Sequence, residues 1–303
     1  SDVCSSDLHL IHNSGIKMDI EFRVFDDGFA LRYIFPEQPQ RLLTITDELT
    51  EYCFVNEAQA WSIPWRTEYY EGLWQKKNLN SPITNNDTLC SPITIEFADG
   101  SYGFVHEAAL TDYPAQNLYV QGGALKTYLT PWLEQTINGY IPSSVKAYIS
   151  VPFTTPWRMV ILTQSLPDLV ASRIMLNLNE PCRIDNTNWI KPMKFMGIWW
   201  GMHSIQAVLA EGWNKGWEDW KHFEFTTPYD DWDMPYLSRL ADSLRVAIVG
   251  HNETGGNAAD YEADLDSIFH YHAANGIHVI KTGYVAPIIR TIDGLQWNKG
   301  QSG

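Results

Sequence analysis

The pattern of apolar residues changes near residue 186, and that change limits the folds open to this chain more than any other feature. From about Ile16 to Leu178, apolar and polar residues alternate in short runs closed by turn residues. Ile20, Phe22 and Val24 alternate, Asp26-Asp27-Gly28 makes a turn, and Phe29, Leu31, Tyr33 and Phe35 alternate again. This reads as an antiparallel hairpin with one buried face. Ile93–Phe97, turned at Asp99-Gly100 into Tyr102–Val105, repeats the scheme, and Ser144–Val151 and Met159–Leu162 are further strands bounded by Pro142, Pro152 and Pro156. Many short strands at such spacing predict a β-sandwich, assigned here to residues 1–186.

Beyond Asn186, continuous apolar runs alternate with helical patterns. Phe195–Trp200, Ala207–Ala210, Val246–Val249 and His278–Ile280 read as strands buried on both faces. A helix is predicted over Ala258–Ala274, with Tyr261, Leu265, Ile268 and Phe269 on one stripe and Gly276 as its stop. Another opens at Asp233-Met234-Pro235 and carries Leu237, Leu240 and Leu244. Strand, helix, strand implies a parallel α/β sheet or barrel. A complete (β/α)8 barrel takes about 250 residues, more than remain, and parallel neighbours need a crossover of about a dozen, whereas only Gly201–Gln206 separates the first two strands. The expectation for 187–303 is therefore the first part of a truncated barrel that also lacks one helix-sized segment.

Composition removes several partner classes. Lys+Arg 21 against Asp+Glu 36 gives a net charge of -15, which repels a phosphate backbone and argues against nucleic acid and anionic membrane. No run approaches the roughly 18 apolar residues that span a bilayer. Cys4, Cys53, Cys90 and Cys182 form no Cys-x-x-Cys pair, so buried free thiols are expected in place of a zinc or redox site. The octapeptide Ser1–Leu8 resembles translated sequencing-adapter sequence, lacks the features of a signal peptide and is set apart as not native.

Polar residues cluster where the parallel strands end: Glu211, His251 with Glu253, and Lys281. In a (β/α)8 barrel, catalytic groups collect at that end. Glu253 sits in the polar, glycine-rich segment Val249–Asn257, where a carboxylate suits a general base on water or a cap for the helix near Ala258. Glu211 lies beside Trp213 and Trp217, a setting suited to sugar hydroxyls and stacking on a pyranose face. Lys281 and His251 suit hydrogen bonds to hydroxyls or ordinary ion pairing. Asp230, Asp231 and Asp233 invite a calcium reading but fit a helix cap better, since no 12-residue calcium loop is present. In the sandwich, Glu68 and Glu71 stand among the aromatics of Trp65–Trp74.

Together, Trp189-Ile190-Lys191-Pro192, Gly197-Ile198-Trp199-Trp200-Gly201-Met202-His203, Glu211-Gly212-Trp213-Asn214-Lys215-Gly216-Trp217, His251-Asn252-Glu253-Thr254-Gly255-Gly256-Asn257 and Lys281-Thr282-Gly283-Tyr284-Val285 resemble glycoside hydrolase family 97. The resemblance implies an N-terminal β-super-sandwich, a catalytic (β/α)8 TIM barrel and exo-acting α-glucosidase or α-galactosidase activity. Retaining members carry an aspartate nucleophile at the end of the fourth strand, where this chain has Gly283, so the match is to the inverting, calcium-dependent α-glucosidase branch. That branch implies Glu253 as a general base, Glu211, His251 and Lys281 as substrate-binding residues, and Ca2+ held in part by Glu71, with Glu68 as runner-up. It also implies oligosaccharide substrates and a periplasmic or extracellular location. The general acid and remaining calcium ligands are expected beyond Gly303. The competing readings are a non-catalytic carbohydrate-binding protein, an inactive truncated fragment and an α-galactosidase.

Overall fold

In a computed structural model of the protein, the described residues are 4–66, 72–84, 86–131, 133–136, 139–192, 195–196, 207–210, 213–215, 224–253, 258–283, 291–292 and 295–296. The chain divides into two compact units, the first running to Pro181 and the second beginning at Cys182.

The first unit is a β-sandwich. Its larger sheet has nine strands, in the order Cys4–Ile11, Lys17–Phe25, Gly28–Phe35, Trp157–Thr163, Tyr102–Ala108, Ile93–Phe97, Ala58–Ser62 and Gln75–Asn78, with Phe153–Thr154 also paired to Gly28–Phe35. The second sheet has four, in the order Glu51–Tyr52, Ala124–Leu129, Gln116–Gln121 and Thr88–Cys90. Alternation supplies the core between them: Ala58, Ala60, Ile93, Ile95, Val105 and Val160 from one sheet meet Tyr52, Leu89, Leu118, Val120 and Leu125 from the other.

The expected hairpin is present, with Phe25 opposite Gly28 across the turn Asp26-Asp27. Gly28 is required by close approach, since a Cβ there would stand 2.1 Å from the Val160 carbonyl oxygen. Residues from Cys4, which the sequence reading set apart, form an edge strand paired with Lys17–Phe25. Two short helices, Leu166–Ala171 and Ile174–Leu178, stand where only strands and turns were expected. Ser165 caps the first by accepting from the Asp168 amide at 3.3 Å. Ile174 and Leu178 pack on Phe25, Ala30, Trp157, Met159 and Ile161, which closes the second face of the large sheet. The strand Trp157–Thr163 is thus covered on both sides, in keeping with the apolar run Met159–Leu162 within it.

A charged cluster lies inside this sandwich. Arg158 is fully buried, and its Nε and Nη2 each donate at 2.7 Å to the two oxygens of Glu48, while Nη1 donates at 2.7 Å to Glu107. The Gln116 amide donates to both Glu107 oxygens at 3.1 Å, and Thr50 donates to Glu48 at 2.9 Å. Burial by itself would lower the Arg158 pKa, but the Glu48 and Glu107 carboxylates raise it above its ordinary value. Burial pushes the Glu107 carboxyl up, opposed by Arg158.

The second unit contains four parallel strands in chain order: Phe195–Met196, Ala207–Ala210, Ala247–Glu253 and Ile277–Gly283. The residues between the first two lie outside those described. Trp213–Lys215 pairs antiparallel with Glu224–Pro228, a hairpin the sequence reading did not include. Helices Met234–Ser243 and Ala258–Ala274 cover the sheet through Met234, Ile248, Ile268 and Ile277. The expected stripes need correction. Leu240 and Leu244 are exposed because their helix turns Met234 and Ala241 to the core, and Phe269 is 48% exposed because its helix turns Tyr261, Ile268 and His272 inward.

The cysteine expectation is corrected as well. Only Cys90 is buried, while the free thiols Cys4, Cys53 and Cys182 are exposed, lying on an edge strand and in connecting segments outside the core. Among the described residues, no helix is long and apolar enough to cross a membrane.

Candidate active site

Parallel pairing brings the carboxyl ends of the strands to one rim. The register aligns Ala210 with Gly250, His251 with Lys281, and Glu253 with Gly283. In α/β sheets that rim holds the ligand, because the strands end there and the loops leave room for polar groups.

His251 is buried and Lys281 exposed, and their side chains meet at 2.7 Å between Nε2 and Nζ. An ammonium has only hydrogens to offer, so Lys281 donates and Nε2 accepts in this pair. The structure therefore brings together two of the residues picked from the sequence. Glu253 ends the same strand, with its backbone paired to Gly283. Glu211, Glu68 and Glu71 lie outside the described residues. Asp233 is a helix cap, its Oδ1 accepting from the Tyr236 amide at 2.9 Å. Among the described residues no three His, Cys, Asp or Glu side chains form a group able to hold a metal.

Behind the rim is a polar group that sequence reasoning missed. Asn252, fully buried, donates through Nδ2 to the Tyr261 hydroxyl at 3.1 Å and lies 3.4 Å from His272 Nε2. Burial lowers the His272 pKa to about 4, so its imidazole is neutral near pH 7. Burial raises that of Tyr261, opposed by the Asn252 hydrogen bond. The available signal was His272 standing four residues after Ile268, on the buried side of the helix.

Comparison with known proteins decides the family. The description "Glycosyl-hydrolase 97 N-terminal" matches residues 4–181, and "Glycoside hydrolase 97" matches residues 198–301. The chain belongs to glycoside hydrolase family 97. A solved family 97 enzyme from Pseudoalteromonas sp. strain K8, in complex with panose, is similar at 31% identity and TM-score 0.80 over 99% of this chain and 50% of that one. The same enzyme has been solved with acarbose. A retaining alpha-galactosidase of Bacteroides thetaiotaomicron is 26% identical over 63% of this chain and 32% of its own length. A probable retaining alpha-galactosidase of Streptomyces bingchenggensis is 25% identical over 62% and 27%. This family 97 chain thus spans half of the solved relative and about a third of the curated ones. The match agrees with the sandwich followed by barrel strands found here.

Proposed function

We propose that the protein carrying these residues removes terminal α-glucosyl units from oligosaccharides with inversion at the anomeric carbon, Glu253 serving as general base on water. The observation that carries this reading is the register of Glu253 with Gly283. Among the described residues the neighbouring strand, Ile277–Gly283, carries no carboxylate to attack the sugar, and a glycine suits the room for water that inversion needs. In inverting glycosidases the acid and base stand roughly 6.5 to 9.5 Å apart for that reason. Water would give its proton to Glu253 as its oxygen attacks the anomeric carbon, while the leaving oxygen takes a proton from an acid outside the described residues. Lys281, oriented by His251, supplies donors to sugar hydroxyls, and Glu211 is proposed to accept from them. The saccharides in the solved relative's complexes support an oligosaccharide substrate.

Calcium is retained as a proposal, with Glu71 or Glu68 contributing a ligand. Among the described residues no three His, Cys, Asp or Glu side chains complete such a donor set. A periplasmic or extracellular location is likewise proposed. The curated relatives' names favour a second reading, retaining cleavage of α-galactosides.

Hydrolysis of aryl α-glucoside and aryl α-galactoside, followed by proton NMR of the first sugar released, tests both. The expected product is β-glucose, with turnover lost in Glu253→Gln and reduced by a chelator. First release of α-galactose moves the assignment to the second reading, and saccharide binding without turnover to a non-catalytic binding protein.

A further inference from the structure

Asn252 is costly where it stands. It is fully buried, and its Oδ1 has no hydrogen-bond partner among the described residues. An unmatched buried acceptor costs about 1–3 kcal/mol, and an apolar side chain of similar shape would avoid that cost. Any stabilisation by this amide has to come through its Nδ2 contacts, which must first offset that cost.

Its partners suggest its role. Tyr261 and His272 belong to the same helix, Ala258–Ala274, and stand about three turns apart. Both reach one atom, Asn252 Nδ2, at 3.1 and 3.4 Å. Tyr261 is itself fixed edge-on against Phe225, with centroids 5.9 Å apart and an interplanar angle of 85°. The His272 ring lies against the strand, where a Cβ added to Gly250 would come within 3.1 Å of Cε1. The amide thus ties both ends of a long helix to a single strand residue, and that residue sits between His251 and Glu253.

We propose that Asn252 is a positioning residue for glycoside hydrolysis, clamped by Tyr261 and His272 so that the strand end carrying His251 and Glu253 is held in register with Lys281 and Gly283. This rests on the reading of Glu253 as the base. A displacement of about 1 Å at such a rim can cost on the order of 100-fold in rate, while ground-state binding of the sugar changes little.

The test uses active protein carrying a complete barrel and measures kcat, KM and thermal midpoint on an aryl α-glycoside. Asn252→Leu removes the unmatched acceptor but also the donor to the Tyr261 hydroxyl and His272 Nε2, so the midpoint is expected to fall by no more than a few degrees. The same change should lower kcat about 10- to 100-fold with KM within about 3-fold. Tyr261→Phe, which keeps the ring against Phe225, should lower kcat about 3- to 10-fold and add nothing further in the Asn252→Leu background, as members of one clamp are non-additive. Wild-type kcat in folded Asn252→Leu, or additive losses in the double variant, overturns the proposal. If Asn252→Leu does not fold, Tyr261→Phe alone decides, and an unchanged kcat refutes the clamp. Glu253→Gln run alongside separates the two claims: full turnover there removes the base assignment, whereas an inactive Glu253→Gln with a fully active Asn252→Leu removes only the clamp.

Discussion

Two charged groups, one in each unit, show how differently this chain handles polarity. In the sandwich, Arg158 has both Glu48 oxygens and one Glu107 oxygen at 2.7 Å and no contact with water. At the strand rim, Lys281 is exposed and meets the His251 imidazole. The first group spends its hydrogen-bonding capacity on the fold, and the second keeps an ammonium presented to whatever enters. Burial and full pairing mark a structural cluster, whereas exposure at the carboxyl end of parallel strands marks a site for ligand.

The comparison can be broken most forcefully at Arg158. Arg158→Met leaves two carboxylates buried together, and a loss of about 3–5 kcal/mol is expected in urea denaturation of the sandwich. Adding Glu48→Gln and Glu107→Gln should recover most of that loss, because the uncompensated charges go with the arginine. If Arg158→Met costs less than about 1 kcal/mol, the cluster is not the structural element described here.

Lys281→Met is expected to behave in the opposite way. Saccharide binding should weaken by about tenfold through loss of charge-assisted hydrogen bonds to hydroxyls, with stability within about 0.5 kcal/mol of the parent, read by calorimetry and melting. A large stability loss with unchanged binding would reverse the assignments of the two groups.

A pH titration sharpens the comparison with a smaller effect shared by both units. Burial lowers the pKa of His106 in the sandwich and of His272 behind the rim to about 4. Each is more easily protonated in the unfolded chain, where the ordinary value is near 6.5. Their contribution to stability is complete above about 6.5 and is lost as pH falls towards 4. The melting temperature should therefore decline across that interval, with His272→Gln flattening the decline of the second unit alone. A further contrast lies along one helix: Ile268→Ala should cost about 2–5 kcal/mol and Phe269→Ser less than about 0.5, measured by denaturation, because only the former side chain is inside.

Much of this architecture was legible before any coordinates. Alternation at Ile20–Val24 and Phe29–Phe35 located a hairpin, the apolar run Val246–Val249 a buried parallel strand, and Asp233-Met234-Pro235 a helix start. The ordered motifs from Trp189 to Val285 gave the family. His251 and Lys281 stood out as polar residues at the ends of apolar runs, and the structure sets their side chains 2.7 Å apart. The short helices at 166–178 were missed because each has too few residues to show a period. The Phe269 error arose because a stripe of apolar letters ignores a histidine that can be buried in its neutral form.

Local order, strand direction and the choice of strand-end residues follow from the sequence, since each depends on neighbours within a few positions. Which groups touch does not follow. Arg158 finds Glu48 across 110 positions, and Asn252 finds His272 across 20, through strand pairing and helix packing that no local pattern encodes. Only the tertiary structure decided that one buried charge is paired within the fold, that one buried amide oxygen beside Glu253 has no partner among the described residues, and that Glu253 stands in register with a glycine. The reason is physical: hydrogen bonds and burial depend on distance in space, and distance in space is set by the packed sheets and helices.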